Sequence, residues 1–165
     1  MKRIVVLISN KGTGTNLQAI IDGVESGQIN AQVVAVISDT EEALGLQRAK
    51  KHHLPIEICP KKEDLLFLLK NPDTIDGVVN NPDDTDALWN RGKMTDKAIQ
   101  NFFDNKATYA GCTNHFLSYE FDFGPVLGRC FEKILPNDTV DSLYTRLKKK
   151  ENDLYVKVLH KLCKS

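Results

Sequence analysis

A short polar segment near the N-terminus contains the first residues whose types and spacing suit the binding of a ligand. Residues 9–16 read SNKGTGTN, directly after the aliphatic run at residues 4–8 and directly before a helical pattern. A glycine-containing loop between a parallel strand and a helix presents backbone N–H groups and the positive end of the helix dipole, which together bind anions, most often phosphate. A capped strand-to-helix turn that binds no ligand requires fewer polar and small residues than this segment contains. We therefore predict an anion site. Its residues are Gly12, Thr13, Gly14, Thr15 and Asn16.

The glycine spacing distinguishes between the known kinds of phosphate-binding loop. The dinucleotide fingerprint requires a third glycine, but Leu17 follows Asn16 here. Asp39 ends the second predicted strand, where a ribose-binding acid would lie, and this keeps a dinucleotide open as the weaker alternative. The phosphate loop of nucleoside triphosphatases is excluded, because no Gly-Lys-Ser/Thr follows. The preferred ligand is therefore a monophosphate.

A second group of candidate residues lies at and after the predicted strand at residues 107–119. Alternation along a strand places His115 on the face opposite Asn114 and Phe116. Imidazole titrates near neutral pH, yet a histidine in a strand is more often a core residue than a catalyst. Asp122 precedes Phe-Gly-Pro, a sequence in which an acid commonly starts a turn.

Hydrophobic patterning predicts that an α/β fold positions these residues. Aliphatic runs predict strands, and the unbroken run at residues 4–8 is typical of a strand covered on both faces. Apolar residues at helical spacing predict helices between the strands, the first of which ends at Gly27. Such strand-helix-strand repeats form a parallel sheet with right-handed crossovers. The predicted strands are residues 4–8, 31–39 and 55–59, and the predicted helices are residues 17–24, 41–51 and 61–70.

The second half of the chain is less regular and ends in a long helix. A polar segment at residues 80–93 has no periodicity. The final amphipathic helix is capped by Asp138 or Thr139. The other predicted elements are a short strand at 75–79, a helix at 95–103, and a hairpin of strands at 107–119 and 126–135. The apolar stripe of the final helix contains Val140, Leu143, Leu147, Leu154, Val158 and Leu162.

Composition restricts the class of protein and its partners. A chain of 165 residues with 41% hydrophobic and 27% charged residues suits one globular domain, residues 1–165. Twenty-two basic and twenty-two acidic side chains cancel, so we expect no nucleic-acid or membrane partner. The N-terminal apolar run is shorter than that of a secretory signal, and we expect a cytoplasmic location. The four cysteines form no Cys-x-x-Cys pair, so we expect reduced thiols and no metal.

Five parts of the sequence resemble the phosphoribosylglycinamide formyltransferase family of purine synthesis. In the N-terminal half they are IVVLIS, GTGTNLQAII and ALGLQRAKKHHLP. In the C-terminal half they are HFLSYEFDFGPV and DTVDSLYTRLKKKEN. The resemblance covers residues 1–70 and 107–160 and implies a Rossmann-like formyltransferase fold, in which helices flank a mostly parallel central sheet and a hairpin and long helix follow.

This resemblance implies a reaction and its substrates. Family members transfer a formyl group from the co-substrate 10-formyltetrahydrofolate to the amine of glycinamide ribonucleotide. Gly14, Thr15 and Asn16 match the positions that hold the ribose phosphate, in agreement with the anion site. Glu151 matches a carboxylate that helps bind glycinamide ribonucleotide.

The resemblance also assigns catalytic and folate-binding positions. Asp122 matches the acid that tunes the catalytic histidine and orders a proton-shuttling water. His115 matches a strand histidine beside the active site. The backbone stretch that borders the folate pterin matches Ser118, Tyr119, Glu120, Phe121 and Asp122.

One family motif is absent from the sequence. The family carries Asn-x-His-Pro, whose asparagine and protonated histidine stabilise the oxyanion, and this chain contains no such motif. The chain is also shorter than the family norm, and LLKNPDTIDG reads as an internal deletion near residues 69–74. The alternative to an active formyltransferase is therefore an impaired or inactive relative that keeps the phosphate loop and acts as a binding or structural protein.

Overall fold

A computed structural model of the chain describes residues 1–9, 13–59, 81–85, 87–88, 90, 95–116 and 124–164. The helix predicted at residues 61–70 and the strand predicted at residues 75–79 lie outside the described residues. Contacts divide the chain into two compact units, residues 1–69 with 155–165 and residues 70–154. The single domain over residues 1–165 stays a prediction.

The first unit contains a parallel three-stranded sheet among its described residues. Both strand pairs are parallel, with Val6 opposite Val36 and Val36 opposite Ile56, in the order β1-β2-β3. The alternation of strands and helices confirms the prediction from hydrophobic patterning. The elements are β1 Lys2–Ile8, α1 Thr15–Glu25, β2 Ala31–Ser38, α2 Gly45–Lys51 and β3 Ile56–Ile58.

Helix α1 packs its apolar face into the core of this unit. Leu17, Ile20 and Ile21 recur at helical spacing, and each is at most 4% exposed. Gly27 follows the helix with φ +75°, a left-handed conformation that confirms the predicted end of α1. The core consists of Leu17, Ile20, Ile21, Val33, Val36, Ala43, Leu46 and Ala49.

Helix α2 is shorter than predicted. It begins at Gly45, whereas the apolar pattern predicted a start at residue 41. The N–H of Leu46 donates to the Ala43 carbonyl and that of Gln47 to the Leu44 carbonyl, and both bonds span only three residues. Residues 41–44 therefore lead into the helix through tighter turns than an α-helix contains.

Strand β1 is covered on one face only. Val6 and Ile8 pack against the core of the first unit. Val5 and Leu7 point to the other face and are 49% and 45% exposed. The prediction of a strand covered on both faces is therefore wrong, because only alternate side chains of β1 meet the core.

The second unit pairs two antiparallel strands with helices. Its elements in the described residues are α3 Thr95–Asp104, β4 Tyr109–His115, β5 Val126–Lys133 and the start of α4 Val140–Cys163. The antiparallel pairing of β4 with β5 confirms the predicted hairpin strands. The core contains Ile99, Phe102, Ala110, Leu143 and Leu147.

Side chains at the start of α4 satisfy its first backbone N–H groups. Thr139 Oγ1 accepts a hydrogen bond from the Ser142 N–H at 3.2 Å, and Ser142 Oγ accepts one from the Thr139 N–H at 2.9 Å. This reciprocal pair confirms Thr139 as the predicted cap. Asp138 contributes differently: its carboxylate accepts hydrogen bonds from Arg146 at 2.6 and 2.7 Å and from the Leu135 N–H at 2.8 Å.

The apolar stripe of α4 is confirmed except at its end. Leu143, Leu147 and Val158 are at most 6% exposed, as predicted. Leu162 is 40% exposed, whereas Cys163 is 5% exposed, so the prediction for Leu162 is wrong. The reason is that the last turns of α4 belong to the first unit, where Cys163 joins Ile29 and Ala31 in a separate cluster. No helix within the described ranges is long and apolar enough to cross a membrane.

Candidate functional site

The predicted anion site lies at the start of α1. Gly14 is the N-cap residue, with φ 72° and ψ 19°, and it has no side chain with which to cap the first turn. Thr15 and Asn16 are the first two residues of the helix, and Thr13 precedes the cap. An uncapped first turn leaves its backbone N–H groups for a ligand or solvent, as anion binding requires. Gly12, the remaining residue of the predicted site, lies outside the described residues.

The hydroxyl of Thr15 is the clearest candidate in this loop for binding a ligand. Thr15 Oγ1 is buried and has no hydrogen-bond partner among the residues that the structure describes. A buried hydroxyl that lacks a partner costs about 1–3 kcal/mol. Buried polar groups in folded proteins are nearly always hydrogen-bonded, so an unpartnered hydroxyl beside a helix N-terminus is a candidate partner for a ligand, ion or water.

Gly14 is required by its own conformation and by close packing. Its positive φ disfavours side chains, and a Cβ atom placed on Gly14 would lie 2.5 Å from the Cα of Gly45. Gly45 begins α2, so the loop and the second helix meet backbone to backbone. Sequence reasoning assigned the glycine to close approach of a ligand, and the structure adds this second reason.

Arg48 secures the loop from α2, and sequence reasoning missed it. Its Nε–H donates to the Thr13 carbonyl at 3.0 Å, and its Nη1 donates to Gln18 Oε1 at 3.3 Å. The guanidinium also places a permanent positive charge beside the predicted anion site. The available signal was a basic residue three positions after Gly45, in the last turn of α2.

His115 lies at the end of β4, where the strand register shifts. The shift between Asn114 and His115 places His115 opposite Val126. The His115 Nδ1 lies 2.7 Å from the Phe116 carbonyl oxygen, which can only accept, so Nδ1 donates the proton. Gly124 fits tightly there, because a Cβ on it would lie 1.6 Å from that same oxygen. Asp122 and residues 118–121 lie outside the described residues, and their predicted roles stay predictions.

Glu151 lies on α4 in the second unit. Its carboxylate pairs with Lys148 Nζ at 2.9 Å, and the Glu151 side chain is 21% exposed. Asn114, which sequence reasoning did not assign, is 8% exposed, and its Nδ2 has no hydrogen-bond partner in the described part of the chain. Within that same part, no three His, Cys, Asp or Glu side chains cluster as a metal site would require.

Comparison with known proteins identifies the family. The formyl transferase family model matches residues 2–103 and 91–159, which together cover most of the chain. This chain belongs to the formyl transferase family. The resemblance predicted from the sequence is therefore confirmed.

Within the formyl transferase family, the chain is similar to proteins named phosphoribosylglycinamide formyltransferase. Phosphoribosylglycinamide formyltransferase of Haemophilus influenzae is 31% identical over 186 residues, covering 96% of this chain and 86% of that protein. The chloroplastic phosphoribosylglycinamide formyltransferase of Arabidopsis thaliana is 24% identical over 195 residues, covering 98% of this chain but only 65% of the plant protein. The chain thus spans slightly less than two thirds of the plant relative.

A solved structure confirms the fold. The crystal structure of phosphoribosylglycinamide formyltransferase from Bacillus halodurans matches with a TM-score of 0.77 at 23% identity, covering 99% of this chain and 96% of that one. The predicted Rossmann-like formyltransferase fold, with helices flanking parallel strands, is therefore confirmed.

The length of one alignment bears on the predicted deletion. The alignment with the Haemophilus influenzae protein spans 186 positions, although this chain has only 165 residues. The bacterial formyltransferase therefore contains residues without a counterpart here. The position of the deletion near residues 69–74 stays a prediction.

Proposed function

We propose that this protein transfers the formyl group of 10-formyltetrahydrofolate to the amino group of glycinamide ribonucleotide in purine nucleotide biosynthesis. Its similarity to proteins named phosphoribosylglycinamide formyltransferase supports the proposal. The single observation within the chain that carries it is the buried, unpartnered Thr15 hydroxyl at the uncapped start of α1. A ribose phosphate supplies the acceptor oxygens that this hydroxyl lacks.

The phosphate end of the substrate is bound by the first turn of α1. The backbone N–H groups of the turn and the Thr15 hydroxyl donate to phosphate oxygens. Gly14 lets the backbone approach, since it has no side chain, and Arg48 adds positive charge while it holds the Thr13 carbonyl. Asn16 completes the set that the family resemblance assigns to the ribose phosphate.

The family resemblance assigns Glu151 a part in binding glycinamide ribonucleotide. A carboxylate accepts hydrogen bonds from amine or amide N–H groups, and its charge favours a protonated amine. Lys148, 2.9 Å from Glu151, holds that carboxylate in one orientation. The folate co-substrate borders the backbone at residues 118–122, as the family resemblance implies. Small-molecule substrates, the absence of nucleic-acid and membrane partners, and a cytoplasmic location remain predictions from the sequence.

Formyl transfer requires an oxyanion to be stabilised and a proton to be removed. The amine attacks the formyl carbon, which forms a tetrahedral oxyanion and an ammonium that must lose a proton. His115 and Asp122 are the titratable residues that the sequence offers. Because Nδ1 of His115 donates to the Phe116 carbonyl, Nε2 is the ring nitrogen that accepts a proton in the neutral ring.

The absence of the Asn-x-His-Pro motif lowers the rate of formyl transfer that we expect. Loss of one oxyanion donor costs about 100- to 1,000-fold in rate. Loss of a general acid–base costs about 100- to 10,000-fold, although groups that act as a unit do not multiply their effects. We therefore propose a slow enzyme.

The absence of Asn-x-His-Pro also favours a second candidate function. A relative that binds the ribose phosphate without catalysing transfer would keep the α1 site and need neither His115 nor Asp122. The two candidates predict the same phosphate binding and differ only in formyl transfer.

Calorimetric titration with glycinamide ribonucleotide tests the substrate site. Thr15→Val removes the hydroxyl and keeps the shape, whereas Thr15→Ser keeps the hydroxyl. Hydrogen bonds to charged groups contribute about 1.5–3 kcal/mol, so Thr15→Val should weaken binding by about 10- to 100-fold. Thr15→Ser should stay close to the parent. Equal affinity in the parent and Thr15→Val would refute the proposed phosphate site.

A further inference from the structure

Two cysteines from separate parts of the sequence lie directly opposite each other in the second unit. Cys112 on β4 pairs with Cys130 on β5 in the antiparallel register. Their sulfur atoms are 3.1 Å apart, and both thiols are free and half-buried. Sequence spacing gave no sign of this contact, because it depends on the register of the two strands.

The backbone geometry suits a covalent bond between these sulfurs. Directly opposite residues in an antiparallel pair have Cα atoms about 4.5–5.5 Å apart. A disulfide requires Cα atoms about 4.4–6.8 Å apart and sulfurs about 2.05 Å apart. The sulfurs, 3.1 Å apart, therefore need to approach by only about 1 Å to form the bond.

The surroundings make the two thiols chemically unequal. A hydrogen bond from the Cys112 thiol lowers the pKa of Cys130, and Lys150 lowers it further, against burial and the charge of Glu151. The same hydrogen bond, together with burial, raises the pKa of Cys112. Cys130 is therefore the sulfur that ionises first, and the thiolate is the reactive form of cysteine.

A metal site fits these donors less well than a redox site. A closed zinc site requires four ligands, and the described residues contain no cluster of three His, Cys, Asp or Glu side chains. Two adjacent, unbonded thiols of unequal pKa are instead the arrangement of an attacking and a resolving cysteine.

We propose that Cys112 and Cys130 form a reversible disulfide that joins β4 to β5 when the protein meets a peroxide. The Cys130 thiolate attacks a peroxide oxygen, the O–O bond breaks, and Cys130 becomes a sulfenic acid. Cys112 then attacks the Cys130 sulfur, the S–S bond forms and water leaves. For hydrogen peroxide, two thiols lose two electrons and two protons, and the peroxide is reduced to two waters. A dithiol reductant reverses the bond by exchange.

Peptide mapping of the full chain tests this proposal. Reduced protein is treated with hydrogen peroxide, alkylated, digested and analysed by mass spectrometry. We expect the peptides containing Cys112 and Cys130 to be joined, while Cys59 and Cys163 are alkylated as internal references. Oxidation should raise Tm by about 6–12 °C, because the crosslink restricts the unfolded chain, and dithiothreitol should reverse the rise. Alkylation of both Cys112 and Cys130 after treatment, or a bond to any other cysteine, would overturn the proposal.

Single variants test the assigned roles. In Cys112→Ser, Cys130 should still react and be trapped as a sulfenic acid by dimedone. In Cys130→Ser, Cys112 loses the partner that raises its pKa most but stays partly buried, so it should react with peroxide more slowly than Cys130 does in Cys112→Ser. Equal rates in the two variants would contradict the assignment of Cys130 as the attacking sulfur. Even if a variant fails to fold, peptide mapping of the unsubstituted chain determines whether the disulfide between Cys112 and Cys130 forms.

Discussion

The contact between Gly14 and Gly45 allows a comparison of two glycines that share a conformation but differ in surroundings. Gly14 has φ +72° and Gly27 has φ +75°. A Cβ at Gly14 would lie 2.5 Å from the Gly45 Cα, whereas a Cβ at Gly27 would meet no atom within 4 Å. Gly27→Ala is thus a matched control for Gly14→Ala, because it carries the same backbone strain without the steric clash.

The structure gives the expected magnitudes for both variants. Placing alanine in the left-handed conformation costs about 1–2 kcal/mol, and this term applies to both positions. Overpacking adds about 1–3 kcal/mol at Gly14 alone, since the atom that must move belongs to the backbone of α2. A mid-range difference of about 2 kcal/mol corresponds to a Tm about 4–8 °C lower for Gly14→Ala than for Gly27→Ala.

Chemical denaturation of the two variants and the parent measures this difference. The free energy of unfolding is obtained from the midpoint and slope of each transition. Gly14→Ala should be the less stable variant by at least about 1 kcal/mol. Equal destabilisation of the two variants would refute the close contact between the loop and α2.

Two further predictions concern the start of α4. Thr139→Ala should lower the free energy of unfolding by about 1 kcal/mol by removing the helix cap, whereas Thr139→Ser should retain it; equal losses in thermal unfolding of both would contradict the capping role. The Arg146 guanidinium, aided by the Leu135 N–H, holds the pKa of Asp138 well below its ordinary 3.8. A carboxyl whose pKa is lowered by folding stabilises the protein above its ordinary pKa and loses that contribution as pH falls through the folded value. Stability of the parent should therefore fall with acid below about pH 5, and Asp138→Asn should flatten that part of the curve; parallel curves would contradict the ion pair.

The spacing of apolar residues within single segments was enough to predict the main helices. The spacing of Leu17, Ile20 and Ile21 identified α1, and the stripe at Leu143 and Leu147 identified α4. The glycine spacing and the helical pattern after it also located the uncapped turn at the start of α1. These features follow from neighbours along the chain.

Contacts between residues that are far apart in the sequence could not be predicted from local patterns. The pairing of Cys112 with Cys130 requires the register of two strands. The hydrogen bond from Arg48 to the Thr13 carbonyl requires α2 to pack beside the loop. Cys163 is buried in place of the predicted Leu162 because the end of α4 packs in a different cluster, with Ile29 and Ala31.

A single-turnover assay of formyl transfer from 10-formyltetrahydrofolate to glycinamide ribonucleotide tests whether this protein catalyses the proposed reaction. The formylated product is measured by mass spectrometry with enzyme in excess, for the parent, Asp122→Asn and His115→Ala. We expect slow product formation, about 100- to 10,000-fold below a typical enzyme rate, that is lost in Asp122→Asn and His115→Ala. The same background rate in all three proteins, with glycinamide ribonucleotide still bound, would contradict formyl transfer and establish the binding protein instead.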